Sequence, residues 1–253
     1  MGEVIDIVGC FSASSTVQVL NKGPVAMKDL AVGDKVMTTE SYQTVYAFGH
    51  KADEQVGTFV QFNKGQLEMT GEHMVFLDGR TNPVRADSVQ VGDVLRGESS
   101  PVQVTQIKSV TQHGLYAPLT KVGTVIVDGI VASSYISLQD ATNMVQIDGV
   151  NLPLSQHTGI HMTLSPFRMV CSFVECSSYD EQGMAPFVSQ GMKFVHWAES
   201  QHFFIQLVLL ALGLAVVSAC MIVESSMGAP LVVVAAYGMM KASGISVRKV
   251  KTV

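Results

Sequence analysis

A cysteine directly after a glycine, Gly9-Cys10, and a Thr-x-x-His run, Thr70-Gly71-Glu72-His73, are the residues of this chain best suited to chemistry on a peptide bond. A thiol just after a glycine carbonyl can attack that carbonyl and turn the amide into a thioester, if something distorts the amide and protonates the departing nitrogen. Gly9 has no side chain to hinder the sulfur. His73 is the candidate proton donor to the Cys10 nitrogen, and Thr70 the candidate to orient the scissile amide or stabilise developing charge. A free thiol has a pKa of about 8.5, so Cys10 needs a base or a strained amide to react quickly.

These residues sit in text that reads as many short strands. From Cys10 to about residue 141 the chain is rich in Val and Thr, in alternating runs broken by Gly, Asn and Asp. Strands are expected near residues 16–20, 35–39, 59–62, 74–77, 102–107 and 124–127, which makes an all-β module. Within it Val32-Gly33-Asp34 recurs as Val91-Gly92-Asp93, each copy after an Asp-containing lead at Asp29 or Asp87. Such a repeat predicts an internal duplication and a pseudo-two-fold fold. Each copy reads as a turn, with Gly free to take positive φ and Asp bonding nearby amides, so Asp34 and Asp93 are kept out of the active site.

Three ordered blocks carry a family resemblance: GCFSASSTVQVLNKGPVAMKDLAVGDKVMT at residues 9–38, LEMTGEHMVFL at 67–77, and APLTKVGTVIVDGIVASSY at 117–135. Together they resemble the autoprocessing domain of Hedgehog proteins, the Hint fold shared with inteins. The resemblance covers roughly residues 9–145. It implies a single-turnover cysteine autoprotease and acyl transferase. Cys10 would be the nucleophile, Thr70 and His73 its catalytic partners, and Gly9-Cys10 the scissile bond. Inteins finish splicing with a His-Asn pair. The matching text here, Val131 to Tyr135, has no Asn, so the thioester falls to an outside nucleophile. In the Hedgehog family that nucleophile is the hydroxyl of cholesterol.

Two positions depart from the family pattern. His50 stands where Hedgehog proteins carry an Asp thought to activate the sterol hydroxyl; a neutral imidazole can serve as that base, and a surface histidine in a loop is the alternative. Asp53 and Glu54 lie close enough in sequence to substitute. Ser134 stands where the family has a cysteine, a redox partner for the nucleophile, which implies lost thiol control with the acyl shift intact.

The composition is more apolar than that of a typical soluble domain, at 47% hydrophobic against 15% charged residues. A net charge of −5 argues against nucleic acid as a partner. The histidines and acids show no ordered metal-ligand spacing, so no metal or other cofactor is assigned. Cys171 and Cys176 can pair in an oxidising compartment, but one such spacing is poor evidence for zinc, and two partly buried free thiols are expected.

Past residue 145 the pattern changes. Residues 154–174 faintly resemble the stretch after the Hint module in Hedgehog proteins, where sterol is recognised. Residues 203–223 carry no charge; at about 1.5 Å per residue a helix of that length crosses a hydrocarbon core of roughly 30 Å. A second apolar run, residues 227–240, is too short for a comfortable span. The basic tail after it would lie in the cytosol for a single span and on the module's side for a hairpin. Four parts follow: an upstream segment 1–9, a Hint-like module 10–145, a sterol-recognition-like region 146–202, and a transmembrane or membrane-associated segment 203–253 with a basic tail. Residues 1–9 are neither a signal peptide nor a signalling domain, which points to a fragment, a misplaced start or a nonapeptide leaving group.

The expected protein is therefore a membrane-associated self-cleaving domain, lumenal or extracellular in the secretory pathway. Its partners would be membrane lipid and a sterol or other small nucleophile. The alternatives are an inert, membrane-anchored interaction module of the same fold and a peptidase acting in trans. The last lacks a clear Asn or Asp partner for His73.

Overall fold

The computed structural model describes residues 9–139, 143–147, 150–226 and 248–249. The short upstream segment, the second apolar run and most of the basic tail lie outside them.

The first part of the chain is built from twelve strands. They are β1 (Thr16–Val19), β2 (Gly23–Ala26), β3 (Lys35–Met37), β4 (Tyr42–Phe62), β5 (Leu67–Met69), β6 (His73–Val75), β7 (Val84–Arg85), β8 (Val94–Leu95), β9 (Val102–Gln103), β10 (Ile107–Thr120), β11 (Thr124–Val127) and β12 (Ile130–Ile136). Ten form one antiparallel sheet in the order β10-β4-β3-β1-β11-β12-β6-β7, with β2 on β1 and β5 on β4. The longest elements are β4 and β10, which pair along their length from Ile107 opposite Phe62 to Thr120 opposite Val45. Short expected strands near 59–62 and 102–107 are thus ends of longer ones or pieces of two. Register shifts between His113 and Leu115 and between Tyr116 and Pro118 bend this ribbon. Gly114 takes φ +80° at the first, and Pro118 falls at the second, where a missing N–H costs little.

The duplication is visible atom by atom. Gly33 and Gly92 adopt φ +97° and +102°. The Asp34 carboxylate accepts from the Ala31 amide at 3.1 Å, and that of Asp93 from the Gln90 amide at 2.9 Å. The Gly33 and Gly92 amides donate to the carbonyls of Val45 and Val104, whose own amides donate back to Asp34 and Asp93. Both Val-Gly-Asp segments are turns, each after a single 3₁₀ turn at Met27–Asp29 or Ala86–Ser88. Side chains from both halves fill one core: Val19, Leu30 and Val36 from the first, Val89, Leu95 and Val104 from the second, with Phe11 and Tyr116 among the largest fully buried residues.

A smaller, mainly helical part follows. After the hairpin β13 (Met144–Ile147) and β14 (Val150–Ser155) come α1 (Gln156–Thr163), α2 (Ser165–Cys171), β15 (Val174–Glu175), α3 (Pro186–Glu199), α4 (Phe203–Ser226) and β16 (Arg248–Lys249). Ser155 caps α1 by accepting from the Thr158 amide. Ile160, Leu164, Phe167 and Phe187 pack on Tyr46, Met74, Leu119 and Tyr135 of the sheet. Cys171 and Cys176 form a disulfide, against the expectation of free thiols; the turn between α2 and β15 brings their Cα atoms to 5.6 Å. Residues Phe203–Val223 form a helix long and apolar enough to cross a membrane, with most of its surface exposed. Among the described side chains of α4 only Val217 and Cys220 are buried, Cys220 against Met169, Val170 and Val174.

Candidate active site

The sheet converges on the Gly9-Cys10 peptide bond. Phe11 is held by two backbone bonds to Tyr116, at 2.9 and 3.1 Å, so the residues just before it are drawn into the interior of the module. The Cys10 amide, the nitrogen of the bond expected to be scissile, donates to Thr70 Oγ1 at 3.1 Å. In return the Thr70 amide donates to the Cys10 carbonyl at 3.0 Å. Thr70 and His73 sit at the two ends of one tight turn, closed by His73 N–H on the Thr70 carbonyl at 3.1 Å. That turn converts a three-residue spacing into two side chains flanking the same peptide bond.

His73 is fully buried and packs its ring against Phe11, with centroids 4.3 Å apart and the planes tilted by 52°. Its Nε2–H donates to the Ser133 carbonyl at 2.7 Å, which fixes the tautomer and leaves Nδ1 bare. Among the described residues Nδ1 has no hydrogen-bond partner, yet it faces Gly9: a Cβ on Gly9 would lie 3.0 Å from it and would overlap Ile136 Cγ2. Burial pushes the His73 pKa down to about 4, with the Ser133 and Gly9 backbones offsetting part of the effect. The ring is therefore neutral at pH 7.

His50 is not the surface loop histidine that was the alternative. It lies inside β4, 3% exposed, with Nδ1 3.3 Å from Cys10 Sγ. Its Nε2–H donates to the Gln182 carbonyl at 2.8 Å, so Nδ1 is again the bare nitrogen, here aimed at sulfur. Burial lowers its pKa, while the Gln182 carbonyl and the Asp180 carboxylate oppose that shift. Burial also pushes the Cys10 thiol well above its usual value, so the sulfur depends on a base to lose its proton. The Asp53 carboxylate accepts from the Tyr116 hydroxyl at 2.7 Å.

Gly9, Cys10, His50, Thr70 and His73 thus come together around one bond. Ser134 is buried on β12, its hydroxyl without a hydrogen-bond partner among the described residues. Sequence reasoning missed three supports, the carbonyls of Ser133 and Gln182 and the Ile136 wall beside Gly9, because main-chain acceptors and packing contacts leave no residue signature. A cavity of about 1080 Å³ opens beside the cluster, lined by His50, Thr70, Glu72, Leu115, Met184 and Met192 among others.

Residues 2–147 match the family model described as Hint module. The chain belongs to the Hint module family. The chain is 32% identical over 146 residues to Warthog protein 6 of Caenorhabditis elegans, covering 51% of this chain and 24% of that protein. It is 33% identical over 145 residues to Protein hedgehog of Drosophila erecta, covering 50% and 31%. These matches span about a quarter to a third of the relatives' own length. The gp41-1 intein, with 16% identity, covers 49% of this chain and 98% of that one at a TM-score of 0.43, and at that level the likeness carries no functional weight. The five site residues all lie inside the stretch matched by the Hint model, as do both halves of the duplicated sheet. Gln182 lies beyond it.

Proposed function

We propose that this Hint module cuts its own backbone between Gly9 and Cys10 by an N-to-S acyl shift, and that an external nucleophile resolves the resulting thioester. The observation that carries this reading is the convergence of three side chains on one peptide unit: Thr70 on its nitrogen, His50 on the attacking sulfur, and His73 beside its glycine. Cys10 Sγ–H passes its proton to His50 Nδ1, and sulfur attacks the Gly9 carbonyl carbon. The proton taken up by His50 returns through solvent to the bare Nδ1 of His73, which hands it to the nitrogen as the Gly9–Cys10 carbon–nitrogen bond breaks. Nitrogen gains the one proton that sulfur loses, so the shift is neutral overall, and the two imidazoles re-equilibrate with solvent. Thr70 holds the amide N–H during attack, which orients the bond and favours pyramidal nitrogen.

For the resolving nucleophile we infer a sterol hydroxyl. His50, freed of the thiol proton, can take the alcohol proton as the oxygen attacks the thioester; Cys10 leaves as the thiolate and the upstream segment ends as a Gly9 ester. The resemblance to Hedgehog proteins supports this choice. So do the size and partly apolar lining of the adjoining cavity and the neighbouring apolar helix α4, which would hold the module at a bilayer where sterols dissolve. The Cys171–Cys176 disulfide supports an oxidising, lumenal or extracellular setting.

The test joins a small reporter upstream of Gly9 in the full chain, reconstituted in vesicles with and without cholesterol. Hydroxylamine serves as the small nucleophile, since it leaves the disulfide intact where a dithiol would reduce it. Reporter released by hydroxylamine and lost in Cys10→Ala is expected, with a sterol-sized mass increase on the reporter in cholesterol vesicles. No release under any condition would overturn the reading in favour of an inert Hint-fold interaction module. Hydroxylamine release without a sterol adduct would overturn only the choice of acceptor.

A further inference from the structure

The stretch after the Hint module does more than follow it. Cys176 makes a parallel bridge to Ala47 and Met184 an antiparallel bridge to His50, so the arm between β15 and α3 lies along β4. The Lys51 amide donates to the Gly183 carbonyl at 2.8 Å, and the Ala185 amide donates to Gly49 at 3.0 Å. Between these two anchors the Gln182 carbonyl accepts from His50 Nε2 at 2.8 Å and from the Gln55 side chain at 3.0 Å. The loop holds this shape by an Asx-type turn: Asp180 Oδ1 accepts from the amides of Gln182 and Met184, each at 2.9 Å. Gly183 takes φ +78°, and a Cβ there would lie 2.6 Å from the Lys51 carbonyl oxygen and 2.7 Å from Ala52 Cβ. Only glycine lets the loop come this close to β4.

We propose that loop 180–184, outside the Hint module, is a positioning element for the acyl shift: its Gln182 carbonyl takes the Nε2–H of His50 and so leaves Nδ1 bare against the Cys10 thiol. The inference rests on the autoprocessing reading above. A neutral imidazole carries one proton, and a carbonyl oxygen can only accept. Once Nε2 must donate to Gln182, Nδ1 must be the acceptor. Without the loop, either nitrogen can carry the proton, and the ring is free to turn away from sulfur. The device follows the one on His73, where the Ser133 carbonyl fixes the same tautomer. The difference is its origin: the Ser133 carbonyl belongs to the module, the Gln182 carbonyl to the part that follows it. The region after the module therefore helps to set the rate of the first chemical step, before any acceptor arrives.

The experiment measures hydroxylamine-dependent release of the upstream reporter from the full chain in vesicles without sterol, so that only the acyl shift is read. Gly183→Ala, which forces the loop off β4, is expected to slow release roughly ten-fold or more, within the usual reach of a lost general base. Asp180→Ala should slow it as well. Asp180→Asn keeps an acceptor oxygen for both amides and should restore the wild-type rate. The deciding readout is the double variant His50→Ala with Gly183→Ala: it should be no slower than His50→Ala alone, because the loop acts only through that ring. Losses that add in the double variant would overturn the proposal and leave a merely structural loop. Wild-type rates in Gly183→Ala and Asp180→Ala would overturn it as well. If the wild-type chain itself releases no reporter, it is the autoprocessing reading that falls.

Discussion

Cys10 and Thr70 grip each other twice, through Cys10 N–H on Thr70 Oγ1 at 3.1 Å and Thr70 N–H on the Cys10 carbonyl at 3.0 Å. One bond is made by a side chain and the other by backbone, so the two can be separated by substitution. Thr70→Ala should leave the backbone bond and the fold in place while freeing the scissile N–H. Reporter release is expected to slow by roughly 100-fold, the usual cost of removing one positioned hydrogen-bonding group. Thr70→Ser should keep most of the rate. Equal rates for the Ala and Ser variants would show that the hydroxyl has no part in the reaction.

Gly9 is needed for space as well as for access by sulfur. A methyl there would overlap Ile136 Cγ2 and press on His73 Nδ1. Gly9→Ala should therefore slow release at least ten-fold, as expected when a reacting bond is shifted from its partners. Ile136→Ala should restore part of that loss in the double variant. Parallel kinetics of the single and double variants would argue against the wall.

The depressed histidines, His50, His73 and His157, make stability fall with acid. His73 and His157 both drop to about 4 through burial, against roughly 6.5 in the unfolded chain. Above pH 6.5 both are neutral in either state and contribute no pH dependence. As pH falls from 6.5 to 4 the unfolded state binds protons that the folded state refuses, so stability is lost across that window and levels off below it. The loss from His73 is about 3 kcal/mol, and from the partly exposed His157 less. Urea unfolding in detergent at pH 7, 5.5 and 4.5 checks this, and a midpoint that does not move would contradict the neutral burial of both rings.

Thiol counting tests the disulfide. Cys10 and Cys220 are buried thiols outside the disulfide, while Cys171 and Cys176 are joined in it. Alkylation of chain isolated without reductant and unfolded in denaturant should add two groups by mass, rising to four after reduction. Four groups before reduction would contradict the pairing.

Much of the module was legible because its signals are local. Val-Gly-Asp at two places needs only a residue that tolerates positive φ and a short carboxylate to close a turn, and Gly33 and Gly92 adopt nearly the same angle. The 3.6-residue geometry of a helix and the absence of charge were enough to bound Phe203–Val223. The lengths of β4 and β10 were less legible, since their polar middles face solvent and only pairing with each other makes them strands.

What the sequence by itself determined is which residues carry reactive groups and how the duplicated strands and turns are spaced, because propensity, turn chemistry and the Gly-Cys and Thr-x-x-His motifs act over a few residues. Only the tertiary structure decided what those groups do. His50 Nδ1 lies 3.3 Å from the Cys10 sulfur because β4 pairs with β10, which holds Phe11, and its bare nitrogen is set by a carbonyl 132 residues further on. His73 is neutral because burial outweighs the two carbonyls beside it. Contacts over such separations depend on how strands pair and on which groups are sealed from water. They arise when the chain closes on itself, and no short stretch of sequence contains them.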